Sequence, residues 1–166
     1  MASEQEFDEY FTSRWPRLVR SAVLLGCASH EAEDLVQSTM VSCLLKWSKV
    51  SAAADRDAYV HRMLINTFLA SRRRRWTGER PSAELPEHGA LDETSAIDLA
   101  DGVLRCLERL SQEHRTVVVL RYYAHLTEQQ MVWVLGVPAG TVKSRLARAV
   151  KALAEDPHMV ELGGTR

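Results

Sequence analysis

Residues 126–153 read LTEQQMVWVLGVPAGTVKSRLARAVKAL. Thr127 stands three residues before Gln130, the spacing of a capping box in which each side chain satisfies a backbone N–H at a helix start. Gly136 supplies a residue tolerant of the left-handed conformation that closes helices, and Val137-Pro138-Ala139 turns the chain. A second helix follows from Gly140, with Val142, Leu146, Ala149, Val150 and Leu153 on its inner face. Thr141, Lys143, Ser144, Arg145 and Arg148 take the outer face. Two short helices across a tight glycine-containing turn, the second opening with small polar and basic side chains, have the form of a DNA-reading helix-turn-helix. An α-helix fits the major groove, Arg and Lys grip guanine edges or phosphates, and Ser or Thr hydroxyls pair with either. A structural αα-hairpin with a solvated face is the plainer alternative.

Upstream of this stretch the apolar spacing predicts helices at Leu99–Leu110 and Ser111–Ala124. In the N-terminal half, Ser3 with Glu6 reads as a capping box, followed by Phe7, Tyr10, Phe11, Leu18, Val19, Ala22 and Leu25 at helical spacing, with Pro16 expected to kink or divide the element. Ser29 is placed to cap a second helix whose stripe is Ala32, Leu35, Val36, Cys43, Leu44 and Trp47. A third, from Asp57, carries Tyr59, Val60, Met63, Leu64, Thr67, Phe68 and Ser71 and ends in Arg72-Arg73-Arg74-Arg75. No alternating strand pattern competes with these helices. The expected fold is all-α, with two small helical domains at 1–76 and 98–155, an acidic linker at 77–97 and a tail at 156–166.

That division follows charge and composition. The 166 residues have a net charge of −1, which conceals blocks of +2 (1–76), −5 (77–98), +4 (99–153) and −2 (154–166). Pro81, Pro86, Gly78 and Gly89 fall with six carboxylates in the negative block, which is linker composition. Apolar residues make up 46% and charged residues 26%, ordinary globular usage that excludes a collagen-like or wholly disordered chain. No apolar run approaches the ~18 residues of a membrane span. The start, Met1 to Glu9, is acidic where a signal peptide is basic and then apolar. A cytoplasmic protein without membrane insertion is expected. Cys27, Cys43 and Cys106 are odd in number and widely spaced, which argues against a disulfide framework or zinc site and for core positions.

A second nucleic-acid signal lies at Tyr59–Arg75. One helix turns His61, Arg62, Asn66 and four arginines away from its apolar stripe. Arginines neutralise phosphates, while Asn and Tyr hydrogen-bond or stack on exposed bases. Arginines at a helix end also complement the dipole as a merely solvated terminus.

Three segments together resemble a known family. Glu33-Asp34-Leu35-Val36-Gln37, Arg62-Met63-Leu64-Ile65-Asn66 and Gly140-Thr141-Val142-Lys143-Ser144-Arg145-Leu146, in this order, are similar to bacterial sigma factors. The chain resembles the extracytoplasmic-function group of the sigma-70 family, which keeps only regions 2 and 4. The resemblance implies that Glu33, Asp34, Leu35, Val36 and Gln37 bind core RNA polymerase. It also implies that Tyr59, Arg62, Asn66, Arg72, Arg73, Arg74 and Arg75 serve the minus-10 promoter DNA, with a flipped base near Asn66. Lys143, Ser144 and Arg148 would read the minus-35 element, with Thr141 and Arg145 on phosphates. An anti-sigma protein is implied as a further partner, and no cofactor or metal. Ser38 departs from a common Glu, Val132 from a small residue, and Trp133 from a polar one. Trp133 is expected to pack on Tyr122 or Tyr123, or, if exposed, to offer an apolar patch.

Two other readings compete. A stand-alone helix-turn-helix regulator leaves the helix bearing Glu33–Gln37 and the arginine-ended helix without a task. For an enzyme, His30, His61, His88, His114, His125 and His158 would have to supply the chemistry, yet none has HExxH or comparable spacing and no glycine-rich phosphate loop or nucleophile motif occurs. No catalytic residue is expected.

Overall fold

The computed structural model describes residues 2–77 and 94–159, with the side chains of residue 2 and of residues 94–100 excepted. Among the described residues there is no strand, and the chain divides into two helical units.

The first unit contains α1 (Ala2–Leu25), α2 (Ser29–Leu45), α3 (Trp47–Ala52) and α4 (Arg56–Trp76). α1 begins at Ala2, so Ser3 lies inside its first turn instead of capping it. Pro16 does not divide the helix, which runs on through it. Proline removes the hydrogen bond to the carbonyl four residues back. Here that residue is Thr12, exposed like Pro16 itself, so water can satisfy the orphaned oxygen.

α2 is capped by Ala28, with Ser29 already helical; the Glu31 carboxylate closes the start by accepting from the Ala28 N–H at 3.4 Å. Its buried face is Ala32, Leu35, Val36, Thr39 and Cys43. Leu44 is exposed, and Trp47 is buried on a separate helix because the chain breaks at Lys46. The sequence stripe had merged these two helices. α4 starts from Asp55, whose side chain accepts from the Ala58 N–H at 2.9 Å, and buries Ala58, Val60, Leu64, Ile65 and Phe68. α2 and α3 both pack on it. Ile65 joins this core, while Met63, Thr67 and Ser71 sit at its margin.

The second unit contains α5 (Thr94–Glu108), α6 (Gln112–Val118), α7 (Glu128–Leu135) and α8 (Ala139–Glu155). α5 starts five residues before the expected Leu99, inside the span assigned to the linker, most of which lies outside the described residues. The single helix expected at Ser111–Ala124 ends at Val118 and passes into a π-helical turn, Val119–Tyr123. His125 follows with φ +56°, and the Arg121 guanidinium donates to the Leu126 carbonyl at 2.9 Å, closing the bend. α6 packs on α8, and Val117, Leu120, Met131, Val142 and Ala149, from α6, the π-helical turn, α7 and α8, are all fully buried.

Val150 departs from the predicted inner face and is exposed. Past α8, Asp156 is buried and accepts from the His158 N–H at 3.0 Å and from Arg109, just beyond the end of α5, at 3.4 Å. The first residues of the expected tail thus fold back on the unit, and residues 160–166 lie outside the description. Cys43 and Cys106 are buried, and none of the three cysteines is in a disulfide.

Phe68 has no exposed surface and lies at the meeting of α2 and α4. Replacing it by Ala removes a ring and leaves a cavity, so Phe68→Ala should destabilise the first unit by about 3–5 kcal/mol, read as a lowered urea midpoint.

Candidate nucleic-acid interface

The helix-turn-helix forms as its residue types require. The Thr127 hydroxyl accepts from the Gln130 N–H at 3.1 Å, and the Gln130 side chain accepts from the Thr127 N–H at 2.6 Å. Gly136 ends α7 at φ +64°, where a Cβ would be strained even though nothing lies within 4 Å of it. α8 begins after Pro138 with no side-chain cap, and a side chain added at Gly140 would also meet nothing within 4 Å. The backbone of this first turn is therefore open to a phosphate, the ligand that a positive helix end favours.

Lys143, Ser144 and Arg148 are exposed on α8. The Ser144 hydroxyl donates to the Thr141 carbonyl at 3.1 Å, which spends its proton and leaves its oxygen as an acceptor. Arg145 is different. Its side chain is only 23% exposed and is paired with Glu113 of α6 at 3.2 Å, so it braces α6 against α8. Lys143 lies 3.9 Å from Glu128, with 67% of its side chain exposed. Trp133, on α7, keeps 42% of its surface exposed.

In the first unit, α4 presents Arg62, Asn66, Arg72, Arg73 and Arg74 on its exposed surface, with Tyr59 half-buried. Arg72 lies over the Phe68 ring, 5.0 Å from its centroid. Arg75 is paired with Glu31 of α2 at 2.5 Å, a contact that draws the end of α4 onto the start of α2. Such a pair depends on two side chains 44 residues apart in sequence, so spacing alone gave no sign of it. On α2, Glu33, Asp34 and Gln37 are exposed, whereas Leu35 and Val36 are core residues that hold the helix from beneath. The same outer surface continues into Val41, Leu44 and Leu45, the last 82% exposed, an apolar patch that the sequence reading missed by assigning Leu44 to the core.

The start of α4 is fixed by a polar network. The Tyr10 hydroxyl donates to Asp57, and Arg14 donates to both Asp57 oxygens at 3.1 and 3.3 Å. An open cleft of about 420 Å³ lies beside it, lined by Tyr10, Arg14, Asp55, Arg56 and Asp57 with Ala53 and Ala54. Its arginines are engaged internally, Arg56 with Glu6 at 2.6 Å. Burial and the hydrogen bond to Asp57 push the Tyr10 phenol far up. No group of three or more His, Cys, Asp or Glu that could hold a metal occurs among the described residues, and no described helix is long and apolar enough to cross a membrane.

Comparison with known proteins assigns these two helical units to a class. Residues 11–77 match the family Sigma-70 region 2, and residues 100–153 match Sigma-70, region 4. The RNA polymerase sigma-E factor of Streptomyces avermitilis is 34% identical over 151 residues, covering 91% of this chain and 84% of that protein. The ECF RNA polymerase sigma factor SigM of Mycobacterium tuberculosis is 33% identical over 149 residues, 89% and 75% of the two chains. The sigma factor RpoE of Bartonella quintana, crystallised with the anti-sigma factor NepR, shares the fold with a TM-score of 0.74 at 24% identity, over 98% of this chain and 99% of that one. The units are therefore sigma regions 2 and 4, and the chain belongs to the extracytoplasmic-function group of the sigma-70 family. Its role is promoter-specific initiation of transcription.

Burial alone would raise the Asp57 carboxyl, but the hydrogen bonds from Arg14 and Tyr10 outweigh it and hold the group below the usual carboxylate range. A depressed acid stabilises the fold above its unfolded value, about 3.9, and that stabilisation is lost as pH falls through the folded value. Thermal melts between pH 5 and 2 should therefore show a steep loss in the wild type that is shallower in Asp57→Asn.

Proposed function

We propose that the two units divide the labour of initiation among the residues placed above. In region 4, Lys143, Ser144 and Arg148 of α8 read the minus-35 element, with Thr141 and the open first turn on phosphates. Their exposure at the N-terminal half of a helix that follows a closed glycine turn is the observation that carries this reading. With its proton spent on Thr141, Ser144 is suited to accept from a cytosine or adenine amino group. Arg145 reaches a phosphate only by leaving Glu113, so its first role is to fix the rotation of α8.

In region 2, Arg62, Asn66 and the arginines at 72–74 serve the minus-10 element, Tyr59 lying half-buried among them. Extruding a base costs a few kcal/mol, and an opened duplex closes again unless a pocket and a basic surface hold the strand. The outer face of α2, Glu33, Asp34 and Gln37 with Val41, Leu44 and Leu45, docks on core RNA polymerase; an exposed apolar patch rimmed by polar residues is the composition of such a site. On the polymerase, two weak DNA contacts held at the spacing of two promoter elements add through effective concentration. The activity is differential binding rather than catalysis, and its place is the cytoplasm.

The domain limits proposed are 1–76 for region 2, 98–155 for region 4 and an acidic linker between them. The sigma factor RpoE of the same fold is complexed with the anti-sigma factor NepR, and CnrH, also of this fold, with the cytosolic domain of CnrY, which supports an anti-sigma protein as the regulator here. Run-off transcription with core polymerase tests the whole: the chain should confine initiation to a small set of promoters. Initiation no more selective than with core alone overturns it.

Two variants test the assignments. Arg148→Ala should cost about 1–3 kcal/mol at one base pair of the upstream element and relax preference there, measured over a randomised minus-35 library. Asn66→Ala should leave the closed complex nearly intact and slow strand separation, since it removes contacts available only after a base is extruded. A premelted template should recover much of the lost rate, because prior melting supplies the unpairing cost but not the pocket contact.

A further inference from the structure

Trp76 is 92% exposed, on the last turn of a helix whose other face is core. The exposure does not come from a loose helix end. Arg75, its neighbour, is bound to Glu31 at 2.5 Å, and Thr77 caps the turn by donating from its hydroxyl to the Arg73 and Arg74 carbonyls at 3.2 and 3.1 Å. A fixed backbone thus holds a large indole in water, an arrangement that costs hydrophobic free energy unless a partner covers it.

The surroundings identify that partner. Arg62, Asn66, Leu69, Arg73 and Trp76 are all exposed and lie within about 80° of arc along α4 at 3.6 residues per turn. Cation, amide, apolar group, cation and aromatic ring form one stripe. An indole face stacks on a base, arginines take the flanking phosphates, and the amide pairs with a base edge. A lipid surface would suit the tryptophan and arginines but not Asn66 in the middle of the stripe.

We propose that Trp76 is a base-stacking residue that extends the minus-10 surface of α4 to the last residue of the helix. The inference rests on the reading of α4 as the DNA-facing helix of region 2. Trp76 lies ten residues beyond Asn66, about 15 Å along the helix. At a rise of about 3.4 Å per nucleotide on one strand, it meets a base four or five nucleotides from the one Asn66 holds.

The test uses the full chain assembled with core polymerase and promoter DNA carrying the adenine analogue 2-aminopurine at single positions across the minus-10 region. Wild type and Trp76→Phe should quench the analogue at one position four or five nucleotides from the Asn66 base. Trp76→Ala should lose that quenching and weaken binding to premelted DNA roughly 5- to 100-fold, the range of one base–aromatic stack. On closed duplex its effect should be small. Arg73→Ala, by contrast, should weaken both DNAs and lessen the salt dependence.

If Arg73→Ala weakens binding and Trp76→Ala does not, the stacking assignment is overturned while the reading of α4 stands. If neither changes binding, α4 is not the DNA face and both fall. Tighter binding by Trp76→Ala would make the indole a seat for the acidic residues that follow it. Loss of affinity for phosphatidylglycerol vesicles with DNA binding intact would make it a membrane contact. Either result overturns the proposal. Unchanged melting of Trp76→Ala, expected for so exposed a side chain, separates these outcomes from misfolding.

Discussion

Burial of Val60, Leu64, Ile65 and Phe68 against the neighbouring helices sets the rotation of α4, and most of what the first unit can do follows from that rotation. A helix has only 3.6 residues per turn, so fixing one face in the core fixes the opposite face in water. Arg62, Asn66, Leu69, Arg73 and Trp76 are exposed because Leu64 and Phe68 are not. Asp55 at the start, the Tyr10–Asp57–Arg14 network beside it and the Arg75–Glu31 pair at the end hold the helix along its length. α4 is thus clamped at both ends by polar contacts and in the middle by apolar ones, leaving its exposed stripe preformed.

The parts legible in the sequence were those decided within one or two turns. Thr127 with Gln130 and the left-handed Gly136 appear where their spacing put them, because a cap involves only neighbours along the chain, whereas the caps expected of Ser3 and Ser29 fail because both helices start one residue or more earlier. What escaped was decided across space. Leu44 belongs by periodicity to the buried stripe of α2, yet the helix ends at Leu45 and α3 turns Trp47 inward instead, leaving Leu44 in solvent. The π-helical turn after Val118 has no composition signal. It is closed by Arg121 on the Leu126 carbonyl, a contact that exists only once the chain has bent. Leu35 and Val36 are buried as the helical stripe of α2 predicts, although the family resemblance groups them with the exposed Glu33, Asp34 and Gln37 as contact residues.

The candidate site shows the same boundary in its charges. Sequence identifies Arg75, Arg145 and Lys143 as basic residues on outward faces, and each is correctly outside the apolar stripe. It does not show that Glu31, Glu113 and Glu128 come from other helices to meet them. Exposed pairs of this kind contribute little to stability, about 0–1 kcal/mol, so their weight lies in orientation. Arg145, with a side chain 23% exposed, has exchanged reach for position, whereas Arg148 keeps its reach.

That distinction bears on selectivity. An exposed, unengaged cation attracts any phosphate and strengthens non-specific and specific binding alike. A cation already held by a carboxylate must give up that partner, so it gains less from an arbitrary phosphate than from a site that also satisfies the carboxylate or leaves the pair intact. With a net charge of −1 on the whole chain and Arg75, Lys143 and Arg145 internally paired, non-specific attraction to DNA is expected to be low. On the proposed reading, discrimination then rests on the groups assigned to bases: Lys143, Ser144 and Arg148 in the groove and Asn66 on an extruded base. Under the proposed function, weak contacts from the two units add through effective concentration once core polymerase holds both on one promoter, so specificity belongs to the assembly more than to the free chain.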